Sequence, residues 1–209
     1  MNGFICFLGT SHAALHLQDA AMRKHLMLTD DPNRADLVFV SEDTPTNANG
    51  VRDLEPIREL LLTALLYSSA TIVLTSQVPP GFTRSFKNEC QLDRLYCQAE
   101  TLRMKDAKER ALNPDYIIVG CATYQDRDLL PIAYLQYLDA FFCPKLIVTY
   151  EDAEFSKIAV NMMLAAQVDA TNRLAAAAVK AGASWSHVRQ ALQFDLRIGP
   201  HAYLEPGRW

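Results

Sequence analysis

The chain has 209 residues, half of them apolar and 21% charged, which suits one globular domain with part of a second and a sizeable core. A net charge of -4 and the lack of any Lys/Arg block exclude the electrostatic footprint of a nucleic-acid binder. Five scattered cysteines without a C-x-x-C pair or His/Cys cluster, no signal peptide and no membrane-length apolar run point to a cytoplasmic protein with no metal site and no membrane contact.

Residues 4–8 form a short apolar run that ends in Gly9-Thr10-Ser11-His12-Ala13-Ala14 and leads into a helix toward Lys24. A buried strand, a glycine turn and a helix is how a dinucleotide fold begins, with the pyrophosphate on the helix N-terminus. Only the first glycine of G-x-G-x-x-G is present, with Ser11 and Ala14 in the other two places, and an ordinary strand-to-helix turn accounts for these residues as well. Residues 37–40 are a fully apolar strand that ends at Ser41-Glu42-Asp43-Thr44-Pro45, residues 44–50 a polar, turn-rich loop, residues 54–67 an amphipathic helix, and residues 71–75 another buried strand. Strand alternating with helix predicts an α/β fold with a parallel sheet, whose ligand crevice lies at the carboxyl ends of the strands.

The third strand runs into Ser76-Gln77-Val78-Pro79-Pro80-Gly81, a loop stiffened by two prolines, with side-chain donors and acceptors at its mouth. A plain rigid turn is the commoner use of Pro-Pro-Gly. Residues 92–112 carry Glu100 in a mixed polar and apolar setting, residues 113–120 supply a turn and strand, residues 129–142 a helix, and residues 145–150 the last strand.

Residues 151–181 contain neither Gly nor Pro and stop at Gly182, which predicts one helix roughly 45 Å long at ~1.5 Å per residue. Between Phe155 and Val168 only Ser156, Lys157, Asn161 and Gln167 are polar, so this half is expected to be buried nearly all round. Lys157 and Asn161 stack on one helical face, and a buried ammonium calls for an anionic partner. Spacing alone favours a lysine that snorkels or meets a structural carboxylate, and an asparagine that caps a neighbouring loop.

The ordered series VFVSEDTPTNANGVRDL, TSQVPPGFTR, YCQAETL, NPDYIIVG, EFSKIAVNMML and DLRIGPHAYLEPG resembles the UDP-glucose/GDP-mannose dehydrogenase family, NAD-dependent enzymes that oxidise a nucleotide sugar's primary alcohol to a carboxylate. The resemblance implies an incomplete Rossmann-like parallel sheet over residues 1–150, with NAD as cofactor. The long helix and a small helical dimerisation domain would then occupy residues 151–209. It assigns Gly9, Ser11, Thr44, Ser76 and Gln77 to the cofactor, Glu100 to the orientation of water, and Lys157 and Asn161 to the oxyanion. Leu102, Arg197 and Tyr203 fall to the nucleotide-sugar substrate.

Two features depart from the family pattern. Its cysteine loop, which follows Pro-Gly, and its C-terminal nucleotide-binding domain have no counterpart in this sequence, which ends at Gly207-Arg208-Trp209. The span between Ala14 and Leu37 is too short for the second Rossmann strand and its ribose-binding acid, so a hole in the sheet is expected, covered by residues 23–28. Two classes of function follow: a nucleotide-sugar dehydrogenase of polysaccharide precursor synthesis, or a catalytically inactive truncated paralogue that dimerises through the 151–181 helix. A relative of the 3-hydroxy acid dehydrogenases is a third reading, supported by fold analogy alone.

Overall fold

The computed structural model describes residues 3–103, 105–124 and 127–207. A six-stranded sheet follows the chain order: β1 (Ile5–Leu8), β2 (Leu37–Val40), β3 (Thr71–Leu74), β4 (Leu95–Gln98), β5 (Ile117–Cys121) and β6 (Lys145–Thr149). Its apolar runs do not alternate because both faces are covered. Val38 and Val40 join Ile57, Leu61 and Ile72 in one core, while Leu37 and Phe39 join Val73, Tyr134 and Tyr137 in the other. The first core takes α2 (Glu55–Tyr67), α3 (Phe82–Cys90) and the start of α6 (Tyr150–Lys180); the second takes α1 (His12–Arg23), α4 (Ala107–Leu112) and α5 (Ile132–Asp139). This is the α/β, Rossmann-like architecture the sequence predicts.

One strand pair corrects the expectation of a parallel sheet. Strands β1 to β4 are parallel, but β5 pairs antiparallel with β4 through Cys97 with Gly120 and Gln98 with Val119, and β6 follows β5 in parallel. A parallel partner needs a crossover that returns the chain to the starting edge. Between β4 and β5 lies only the six-residue α4, and the chain turns back on itself instead.

The hole expected in the front half of the sheet is not observed. Strands β1 and β2 pair directly over four residues, and the outer edge of β1 is closed by a single parallel bridge from Ile5 to Leu28. There Ile5 donates to the Met27 carbonyl at 2.9 Å and Thr29 donates to the Ile5 carbonyl at 3.0 Å. A further strand after α1 would flank β1 on the outside, and residues 27–29 cover that edge.

Two glycines permit close approaches. Gly9 has φ +107° and lies so near the Ser41 carbonyl that any Cβ would strike it. Gly120 lets α6 pack on β5, since a Cβ there would meet Cys97 Sγ and come within 2.9 Å of Ala153 Cβ.

The chain divides into two compact units, Met1–Lys157 and Ile158–Trp209, and α6 runs from one into the other. In the second unit, α6 ends at Lys180, Gly182 follows it with φ +70°, and α7 (Trp185–Phe194) comes next. The segment after α7 is tied back by Thr171 Oγ1 donating to the Tyr203 carbonyl at 2.6 Å, by Trp185 Nε1 donating to the Leu204 carbonyl at 3.2 Å, and by a reciprocal pair of bonds between Asn172 and Gly207.

Burial nearly all round the middle of α6 is not observed. Phe155, Met162 and Met163 are 53%, 63% and 62% exposed. An apolar ring needs cover on every side, and this chain supplies it only on part of the circumference. Among the described residues no helix is long and apolar enough to cross a membrane.

Candidate active site

The carboxyl ends of β1, β2, β3 and β4 place four loops side by side. After β3, Ser76 Oγ accepts the Glu42 N–H at 2.7 Å, and the Gln77 carbonyl accepts the Thr44 hydroxyl at 2.9 Å. Arg52 Nη1 donates in turn to Thr44 Oγ1 at 2.7 Å, so the second and third loops are stitched together.

Pro79-Pro80-Gly81 is more than a turn, because α3 begins immediately after it. Gly81, at φ +92°, is the N-cap and has no side chain with which to cap. Glu154 of α6 supplies the missing acceptor: its carboxylate takes the Gly81 N–H at 2.6 Å and the Thr83 N–H at 2.9 Å. Burial pushes the Glu154 carboxyl up, and the hydrogen bonds from Thr83 and Gly81 offset only part of that rise. One turn earlier, Glu151 is held by both Arg84 Nε and Arg84 Nη2, the latter at 2.8 Å, and this guanidinium lowers the Glu151 carboxyl. The first two turns of α6 therefore clamp α3 and the proline loop.

One turn further along α6, Lys157 Nζ lies 3.3 Å from Glu100 Oε2, with the two side chains only 15% and 19% exposed. Glu100 is fixed from its other oxygen, which accepts the Leu102 N–H. Ser76, Gln77, Glu100, Glu154 and Lys157 line one cleft, floored by Cys97 and Ala153. Its free volume is about 20 Å³, room for a single oxygen-sized group. Cys97 is no nucleophile in waiting, because burial pushes its thiol well up and keeps it protonated.

The remaining predicted residues lie elsewhere. Asn161 follows Lys157 by one turn of α6, within the second unit. Leu102 packs against the core that holds Tyr137 and Phe141, so it bears on the cleft only through the backbone bond that positions Glu100. Arg197 is exposed and paired with Asp195, and Tyr203 receives Thr171 on its carbonyl and donates its N–H to Gln167 at 3.1 Å; both belong to the second unit.

Ser11 does not face outward toward a cofactor. It is buried, caps α1 by accepting the Ala14 N–H at 3.1 Å, and bonds Ser41 through the carbonyl at 3.1 Å and the hydroxyl at 2.7 Å. Gly9 is required by the approach of Ser41, a demand that exists without any ligand. Just above this turn sits a residue the sequence reading passed over. Glu42 Oε2 accepts the Thr10 N–H at 3.0 Å and the Thr10 hydroxyl at 3.3 Å, while Oε1 accepts the Asp43 N–H at 3.0 Å.

Residues 151–208 match the central domain of the UDP-glucose/GDP-mannose dehydrogenase family. The UDP-glucose 6-dehydrogenase of Rickettsia bellii (strain RML369-C) is 27% identical over 185 residues, which cover 85% of this chain and 42% of that protein. The chain is thus similar to the UDP-glucose/GDP-mannose dehydrogenase family, through its central domain at residues 151–208 and through relatives that align with most of its length. A UDP-glucose dehydrogenase structure from Pyrobaculum islandicum superposes with a TM-score of 0.76 at 20% identity over 96% of this chain and 59% of that one. A 3-hydroxyisobutyrate dehydrogenase from Mycobacterium tuberculosis gives 0.70 at 16% identity over 99% of this chain and 76% of that one. Both structural likenesses speak to the fold. The chain spans less than half the length of its Rickettsia bellii relative in this dehydrogenase family.

Proposed function

We propose that this chain carries the oxyanion cleft of a nucleotide-sugar dehydrogenase, an enzyme that oxidises the primary alcohol of a UDP- or GDP-sugar to a carboxylate in cytoplasmic polysaccharide precursor synthesis. The observation that supports the reading is the meeting of Lys157 and Glu100 at 3.3 Å in a cleft at the carboxyl edge of the sheet. Bound NAD supplies the hydride acceptor in such a reaction.

The chain's own residues account for the charge. A sugar oxygen entering between the two side chains meets an ammonium that is already oriented and largely withdrawn from water, so negative charge growing on that oxygen is stabilised without reorganisation. Glu100, released from Lys157, accepts a proton from the alcohol or from a water at Oε2, while the Leu102 N–H keeps Oε1 in place.

The diphosphate of the cofactor does not fit the Gly9 turn as the turn stands. The Thr10 donors are engaged by Glu42, and the Ser11 hydroxyl points into the fold. This one observation favours a second reading, a non-catalytic module that dimerises through α6 by burying Phe155, Met162 and Met163. NADH absorbance measured with a panel of UDP- and GDP-sugars separates the two. Turnover supports the dehydrogenase, and none across the panel, with a dimer by light scattering, supports the module.

A further inference from the structure

We propose that Glu42 is a built-in anion that competes with a nucleotide diphosphate for the Gly9-Thr10-Ser11 turn, and that its carboxylate sets how tightly this chain takes a dinucleotide. The inference rests on the dehydrogenase reading and concerns the regulation of the same site.

The placement of Glu42 follows from its surroundings. Its backbone is held from two sides, because Ser41 is bonded to Ser11 and the Glu42 N–H is bonded to Ser76 Oγ. With the main chain pinned between the first and third loops, the side chain folds back over the turn. There both carboxylate oxygens find donors: Oε2 takes the Thr10 N–H and hydroxyl, and Oε1 takes the Asp43 N–H. Burial works to raise the carboxyl, but the hydrogen bonds from Thr10 and Asp43 outweigh it and hold Glu42 below the usual glutamate range. The group is an anion in neutral solution.

Its position makes that charge consequential. Thr10 immediately precedes Ser11, the N-cap of α1, so the carboxylate lies at the positive end of the helix dipole. A dinucleotide fold receives its diphosphate at this end of the first helix. In this chain an approaching diphosphate meets a like charge that already holds Thr10, and it must displace a group tethered one residue beyond Ser41. A tethered competitor acts at a high effective concentration, so a free nucleotide is at a disadvantage until Glu42 swings away. The Ser11 hydroxyl is likewise engaged, facing inward to Ser41.

The test titrates the full chain and its Glu42→Gln and Glu42→Ala variants with ADP, NADH and adenosine by calorimetry. Glu42→Gln keeps the shape of the side chain and so guards against loss of fold in Glu42→Ala; circular dichroism checks both. The expected result is ADP and NADH binding at least about tenfold tighter in each folded variant, with adenosine unchanged, the scale of charge-assisted hydrogen bonds recovered together with a repulsion removed. Measurable binding of ADP and NADH with equal affinity in all three proteins overturns the competition while leaving the dehydrogenase reading intact, since the cofactor is then bound regardless of Glu42. Failure of all three to bind either ADP or NADH overturns both.

Discussion

Glu154 caps a helix that is more than seventy positions away in sequence, accepting the Gly81 N–H at 2.6 Å from a carboxylate that is almost fully buried. Through that contact the first turns of α6 and the proline loop form one rigid wall of the cleft, and Lys157 follows one turn later. Replacing Glu154 by Ala strands the Gly81 and Thr83 N–H groups. The change should cost about 2–3 kcal/mol of stability, measurable by urea denaturation.

The same carboxylate gives a pH signature. Its folded pKa is raised, so the folded state holds this proton more tightly than the unfolded state does. The wild type should therefore gain stability relative to Glu154→Gln as pH falls through Glu154's raised pKa toward the ordinary glutamate range, and lose that gain as pH rises back through the raised value. Parallel melting curves of the two proteins across mildly acidic pH check this.

The neighbouring pair behaves in the opposite sense. Arg84 depresses the Glu151 carboxyl, so this pair's contribution is present above the ordinary glutamate pKa and is lost as pH falls through the depressed one. With about a third of each side chain exposed, a double-mutant cycle should return only about 0.5–1 kcal/mol, and less in high salt.

Gly120 tests the packing of α6 on the sheet. Gly120→Ala places a methyl against Cys97 Sγ and Ala153 Cβ, and should destabilise by about 1–3 kcal/mol. Adding Cys97→Ala makes room on one side and should recover part of the loss, a non-additivity that chemical denaturation of the three variants reads directly.

Much of this arrangement is legible from the sequence, and what is not has a physical cause. Runs such as Leu37–Val40 declare themselves as doubly buried strands, and the apolar surroundings of Lys157 in the sequence call for the anionic partner that Glu100 provides. The roles of Glu154 and Glu42 are set by partners brought near only by folding. A glycine N-cap after Pro-Pro-Gly was the available hint that an acceptor had to come from elsewhere. The direction of β5 was hidden for a related reason, because the mixed polar and apolar pattern of the segment before it does not show that the chain reverses there. The apolar ring of α6 was legible as apolar, while its burial depends on what surrounds it.

The central claim is that Lys157, steered by Glu100, meets negative charge on a sugar oxygen. The direct measurement is NADH formation by the wild type and by Lys157→Met with the UDP- or GDP-sugar that the wild type turns over best, alongside the melting temperature of each protein. The account predicts a loss of about 100-fold or more in kcat for Lys157→Met with little change in melting temperature. Turnover by Lys157→Met equal to that of the wild type would contradict it.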